Sequence, residues 1–169
     1  MKNTTLGILC LLLLGFTLFQ FCVKPPDYPD EPVIEFQSIS KNTLRQSALP
    51  GPLDSVLVTL TFTDGDGDLG SEGNDFNIFI MDGRDSFPRD PYRLPYVAPQ
   101  GTGNGISGDI SIRLPSLCCI YTEPDGTKRA CGSVPVQLDT LSYIIYIKDR
   151  AGHESNRIKT PPITLICKE

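Results

Sequence analysis

Apolar and polar residues alternate with period two along most of this chain. In "DSVLVTLTFTD", residues 54–64, the period sends Val56, Val58, Leu60 and Phe62 to one face and Leu57, Thr59 and Thr61 to the other. "DFNIFIMD" (75–82) aligns Phe76, Ile78 and Ile80, and "ISGDISIRL" (106–114) aligns Ile106, Ile110, Ile112 and Leu114. "TLSYIIYIKD" (140–149) does the same with Leu141, Tyr143, Ile145 and Ile147. "VIEFQSIS" (33–40) and "ITLIC" (163–167) complete the set. This alternation predicts half-buried strands, and no window carries a convincing helical stripe. Prolines spaced through 88–99 predict loop or edge structure, because proline donates no ladder hydrogen bond.

Short strands separated by turn residues predict an all-β fold, an antiparallel two-sheet sandwich. Asp139 and Tyr143 in "DTLSYII" have the spacing that precedes the penultimate strand of an immunoglobulin-like sandwich, where the tyrosine makes a corner. Ile145 stands where the inter-sheet cysteine of an antibody domain belongs. With 54–63 as strand B, 75–82 as C, 140–149 as F and 157–166 as G, the B–C and F–G loops share one end. The expected fold is therefore an immunoglobulin-like β-sandwich without that bridge.

The N-terminus changes the picture of where this sandwich works. Lys2 is followed by "LGILCLLLLGFTLFQF" (6–21), an apolar run of signal-peptide length and short of the about 20 residues a spanning helix needs. Cys22 then opens "VKPPDYPDEP", a tether rich in proline and acid. A cysteine at that boundary predicts lipid acylation, although Phe19, Gln20 and Phe21 are bulkier than the small residues usual before such a cysteine. An uncleaved anchor or an ordinary signal-peptidase cut are the alternatives, and all three place the chain outside the cytoplasm. The organisation expected is a signal at 1–21, an acylated cysteine and tether at 22–32, and one domain at 33–169. The formal charge is −5, with no basic stripe, which argues against nucleic acid as a partner.

Export also decides the reading of the cysteines. After Cys22 come Cys118, Cys119, Cys131 and Cys167, an even number that predicts disulfides. Zinc is the rival, but adjacent cysteines lack the spacer of a metal knuckle. Neighbouring Cα atoms lie about 3.8 Å apart, below the roughly 4.4–6.8 Å of ordinary disulfides. Cys118 and Cys119 should therefore not bridge each other. In an extended segment they face opposite sides, so one should take Cys131 and the other Cys167.

"TFTDGDGDLGSEGND" (61–75) carries the candidate chemistry. Counted from Asp64, the residues Asp66, Asp68, Glu72 and Asp75 fall on oxygen-ligand positions of a calcium loop. Leu69 stands where such a loop needs glycine, and a strand precedes it, so the expectation is a calcium-binding turn between strands. Three carboxylates this close repel one another without a cation. Asp149, ending "YIKD", is expected near them as a further ligand, or else as the start of its own turn. Magnesium, or an acidic turn that stays solvated, are the alternatives. The tether residues Asp27, Asp30 and Glu31, with Glu35, are expected at the same pole, and the cysteines at the opposite one.

Enzyme chemistry finds little support. His153 is the single histidine, in a turn, and neither a Gly-x-Ser-x-Gly elbow nor His-Glu-x-x-His is present. "QGTGNGISG" (100–108) lacks the Lys-Ser/Thr pair of a phosphate loop. Phe87, Tyr92 and Tyr96 offer stacking to a sugar or peptide, or else cover a core edge.

Together "PVIEFQSISK", "FTDGDGDLG", "GNGISGDI" and "YIIYIKDRAGHESN" resemble envelope lipoproteins of the Bacteroidetes type, and bacterial Ig-like domains often close with a stretch similar to the last. The resemblance covers most of residues 22–167 and implies location and fold, not chemistry. The expected function is a monomeric, calcium-stabilised Ig-like binding or accessory module, anchored by lipid in the outer membrane on its periplasmic or surface face. An envelope protein or a glycan is the expected partner. A purely structural surface protein is the alternative, and a hydrolase comes third.

Overall fold

The computed structural model describes residues 27–98, 105–131 and 135–168. The signal at 1–21 and Cys22 lie outside the described residues. The described residues contain no helix. The strands, in chain order, are β1 (Val33–Ile39), β2 (Thr43–Arg45), β3 (Ser55–Asp64), β4 (Ile78–Asp82), β5 (Ile106–Pro115), β6 (Ile120–Thr122), β7 (Lys128–Ala130), β8 (Leu138–Leu141), β9 (Tyr143–Ile147), β10 (Ile158–Lys159) and β11 (Ile163–Ile166).

One sheet has the order β1-β3-β5, antiparallel throughout. A second region holds β10-β9-β4 and, continuing along the same chain segments, β2-β11-β8. Antiparallel pairing dominates; β2 runs parallel to β11. Inward residues of these strands form one core: Val56, Val58, Leu60 and Phe62 from β3, Ile110, Ile112 and Leu114 from β5, and Tyr143, Ile145 and Ile147 from β9. The arrangement is consistent with a β-sandwich.

Two long strands expected from the sequence are broken, for local reasons. The segment 140–149 divides at Ser142 into β8 and β9, and 157–166 divides at Thr160-Pro161-Pro162 into β10 and β11. Two successive prolines remove two ladder donors. The register slips by one residue between Leu141↔Ile163 and Ile144↔Lys159. The Thr160 hydroxyl mends the break by accepting from the Tyr143 N–H at 3.0 Å. Phe76, expected inward, is 55% exposed, because the β4 ladder starts only at Ile78 and residues before it belong to the loop.

Tyr143 does not make the expected corner. Its hydroxyl donates to the Pro115 carbonyl at 2.6 Å, joining β9 to the end of β5. Asp139 instead accepts from Arg84 Nη1 at 2.6 Å and from the Ile120 N–H at 2.8 Å. The proline-bearing segment 87–92 lies along the free edge of β4, where Arg89 and Tyr92 donate to the carbonyls of Ile80 and Ile78.

The cysteines pair as Cys118–Cys131 and Cys119–Cys167. Cys119 and Cys167 are buried in the core, whereas Cys131 is exposed. Between the cysteines the sequence forms an unexpected hairpin, β6–β7. Its signal was the run Pro124-Asp125-Gly126, with Gly126 at φ 86°. Exposure sets the order of reduction expected here. A water-soluble phosphine, used under native conditions, should open Cys118–Cys131 first, as read by alkylation and peptide mapping. Replacing Cys119 and Cys167 together by alanine should cost about 4 kcal/mol, and the other pair about 3 kcal/mol, measured by urea unfolding. Equal rates of reduction for the two bridges would contradict this burial difference.

Candidate metal centre

Strand β3 is buried at every second residue: Val56, Val58, Leu60, Phe62 and then Asp64. The pleat thus delivers a carboxylate to a position where its register calls for an apolar side chain. Asp64 is 0% exposed, and both of its side-chain oxygens lack a hydrogen-bond partner. Such a group loses hydration that only the nearby Asp68 backbone N–H offsets in part.

The next turn brings two more carboxylates to it. One ligand atom from each of Asp64, Asp66 and Asp68 lies within 4.8 Å of the others. Asp68 Oδ1 is likewise buried without a partner, while its Oδ2 accepts from the Ala151 N–H at 2.9 Å. The Asp68 N–H donates to Asp66 Oδ1 at 3.3 Å, which tightens the turn. Burial, then the charges of Asp66 and Asp68, and further that of Asp149, push the Asp64 carboxyl up to about 6. Asp68 is raised as well, by burial first and then by Asp149 and Asp66.

The neighbouring loop clamps this turn from the side. Arg150 donates through its backbone to the Asp68 carbonyl at 3.3 Å and through Nη1 to the carbonyls of Leu69 and Gly70. Leu69, the residue that departs from a calcium-loop pattern, drops its side chain into the core at 0% exposure. Beyond it Ser71 bonds to Leu94, so the loop is diverted onto the 93–97 segment. Glu72 and Asp75 follow that diversion; both are exposed and stand outside the carboxylate group.

Asp149 comes near, but its oxygens are engaged in its own turn. Oδ1 accepts from the N–H groups of Gly152 and His153 at 2.6 and 2.8 Å, and Oδ2 meets His153 Nδ1 at 2.9 Å. That bond is the first cause of the raised pKa of His153. Asp149 therefore contributes its field to Asp64 and Asp68, not a free ligand atom.

The tether reaches the same pole, since β1 pairs antiparallel with β3 and Val33 lies opposite Thr63. The Gly65 N–H donates to the Pro29 carbonyl at 2.8 Å. A Cβ on Gly65 would sit 2.3 Å from the Tyr28 carbonyl, so only glycine fits beneath the tether. Glu31 lies close enough to add to the raised pKa of His153. The cysteines lie at the other end of β3, which spans about 30 Å at roughly 3.3 Å per residue.

That far end holds the contrasting case of buried charge. Asp82, also 0% exposed, accepts from Arg84 Nε at 2.9 Å, Arg84 Nη2 at 2.6 Å and Arg89 Nη2 at 2.8 Å. Burial pushes its carboxyl up, but the arginine hydrogen bonds outweigh burial and hold it below the ordinary value. Sequence reasoning missed this network, and missed Arg150 and the Tyr28–Pro29 contact. An arginine two residues after an aspartate was the one local signal for the first.

What Asp64 lacks is a positive charge, and the three carboxylates could hold a hard cation, which takes oxygen ligands. Calcium completes six to eight oxygens with backbone carbonyls or water, so three carboxylates suffice as its charged part. No family model matches the chain, and neither a curated protein nor a solved structure matches it.

Asp64→Asn separates a cation site from a passive acidic turn. A carboxyl whose folded-state pKa is raised opposes folding when ionised. The penalty is nil below about 3.8, where the group is protonated in both states, and complete above about 6. At pH 7 in chelator, the asparagine variant should therefore be more stable than the parent by about 1–3 kcal/mol. It should also lose any stabilisation by calcium. Urea unfolding with and without calcium checks both halves. A variant that is less stable in chelator would contradict the unpaired-charge reading.

Proposed function

We propose that this chain is a calcium-stabilised, immunoglobulin-like binding or accessory module of the bacterial cell envelope, tethered to the outer membrane through a lipid on Cys22. One observation carries the metal part of the reading: the buried Asp64 carboxylate has no partner, and Asp66 and Asp68 converge on it. Strand order supports the immunoglobulin-like part. The neighbours β1-β3-β5 and β4-β9-β10 correspond to A-B-E and C-F-G of that sandwich. The hydrophobic run ending at Cys22 supports export and anchoring.

In this reading the cation has two effects. It neutralises the carboxylates, and it braces the tether, because the turn that holds Asp64 and Asp66 also holds Pro29 through Gly65. Extracellular calcium modules bind with dissociation constants of about 0.1–1 mM. At roughly 1 mM calcium the tighter limit stabilises the fold by about 1.4 kcal/mol through mass action.

Two measurements test the proposal. Calcium at about 1–5 mM should raise the melting temperature by several degrees and slow proteolysis within residues 23–35, and Asp66→Ala/Asp68→Ala should abolish both effects. A melting shift without slower cutting would confine the ion to the turn, and no response of either kind would remove calcium from the account. In bacterial cells, radiolabelled palmitate should enter the wild-type chain and not Cys22→Ser. Equal labelling of both would rule out acylation at Cys22.

A further inference from the structure

The outer strands of a sheet decide what it can recruit, because half of their backbone N–H and C=O groups face away from it. Several edges of this molecule are closed. Asn156 caps β1: its Oδ1 accepts from the Ile34 N–H at 2.8 Å and its Nδ2 donates to the Ile34 carbonyl at 2.9 Å. The β1 register is also bulged between Phe36 and Ser38. The 87–92 strap covers β4, and Thr160-Pro161-Pro162 stops β10 after Lys159.

Strand β5 is different. It pairs with β3 from Ser55↔Pro115 to Asp64↔Ile106 without a shift in register. The ladder continues in the bond from the Ser116 N–H to the Asp54 carbonyl at 2.8 Å, so the even-numbered residues of β5 turn their backbone groups to β3. Asp109, Ser111 and Arg113 turn theirs away. Among the described residues, the one bond to their backbone on that side runs from the Tyr92 hydroxyl to the Arg113 carbonyl at 3.0 Å.

An edge of this kind accepts another strand, and the side chains select which. Asp109, Ser111 and Arg113 are all exposed. Asp109 meets Gln37 Nε2, and Arg113 Nη1 meets the Ser55 hydroxyl, each only at 3.4 Å. Neither charge has an ion-pair partner among the described residues. The run Asp109-Ile110-Ser111-Ile112-Arg113 is complementary to its own reverse. An antiparallel copy centred on Ser111 sets Asp109 against Arg113, Ile110 against Ile112, and Ser111 against itself. Opposite charges directly across a strand pair stabilise it, and a register moved by two residues either way loses both pairs.

We propose that β5 is a dimerisation edge, which takes β5 of a second copy of this chain antiparallel about Ser111. Ser111 exchanges both N–H···O bonds with its copy, and Asp109 does so with Arg113 of the other chain. The Arg113 carbonyl keeps a second lone pair for this beside the Tyr92 hydroxyl. The two sheets then join in the order β1-β3-β5-β5-β3-β1, in place of the monomer expected from the sequence. Since Asp64 lies opposite Ile106, the two carboxylate turns fall at opposite ends of the pair. The interface is therefore independent of the cation, and its failure would leave the metal reading untouched. Contact along residues 109–113 buries less than the about 1,200 Å² of a standard interface, so the dimer is weak and the test traps it.

The test uses the full chain, disulfide-intact, in bacterial cells and in non-ionic detergent. Residues paired in this way have Cα atoms about 5.5 Å apart, inside the roughly 4.4–6.8 Å of a disulfide. Under mild oxidation Ser111→Cys should give a reducible dimer, joined at the introduced thiols by peptide mapping. Thr59→Cys should not, because its two copies lie three strand spacings apart, about 14 Å. In the Ser111→Cys background, Asp109→Arg and Arg113→Asp should each weaken crosslinking about tenfold, since two facing pairs become like-charged. Mixing the two variants should restore it, because each arginine then faces an aspartate, and that rescue also requires both to be folded. The proposal is overturned by crosslinking no better than at Thr59, or by charge variants that crosslink as the parent does. A mixture no better than either variant alone, or a different protein trapped at the introduced thiol, would overturn it equally.

Discussion

The pleat of β3 admits one side-chain direction at each alternate residue, and that direction points into the core for five positions in a row. Four of them are apolar and the fifth is Asp64. The strand is held on both sides, by β1 and by β5, with Asp64 itself opposite Ile106. Sliding β3 by one residue to turn the carboxylate out to water would also expose Val56, Val58, Leu60 and Phe62. The apolar core thus keeps an unpaired charge buried, and everything at this pole is arranged around it. Asp66 and Asp68 fold back over Gly65 and Gly67, Arg150 clamps the turn, and the tether closes over Gly65.

The molecule handles buried charge differently at its two ends. Asp82 sits as deep as Asp64, yet two arginines surround it and its carboxyl falls below the ordinary value. At Asp64, burial and then the charges of Asp66, Asp68 and Asp149 outweigh the Asp68 backbone N–H and raise the carboxyl to about 6. Arginine compensates one buried aspartate, and among the described residues no side chain of opposite charge bonds the other. The disulfides reinforce the compensated end, where Cys119–Cys167 links the segment after β5 to the end of β11. The carboxylate end has the tether contact and the aspartate triad in their place.

Much of this was legible in the sequence wherever one residue's constraint acts on its near neighbours. Alternation placed the inward faces of β3, β5 and β9, and adjacency of Cys118 with Cys119 excluded their own bridge. Clustering of the acids followed from their spacing, and the direction of β1 brought the tether to them. Reading failed where distant partners decide. Tyr143 bonds Pro115 rather than its own loop, and Arg84 joins Asp82 to Asp139 across 55 residues. Glu72 and Asp75 matched a calcium loop by counting, but the fall of Leu69 into the core and the bond from Ser71 to Leu94 send the chain elsewhere. Phe76 matched the strand period one pair too early, since pairing of β4 with β9 begins at Ile78↔Ile147.

The central claim is that a cation supplies the missing charge at Asp64. The most direct measurement is the anomalous diffraction signal from crystals grown or soaked in calcium. The expected result is a single peak about 2.3–2.6 Å from oxygens of Asp64, Asp66 and Asp68, the distance at which calcium binds carboxylates. A map with only a water molecule among the three carboxylates, at the same calcium concentration and neutral pH, would contradict the account.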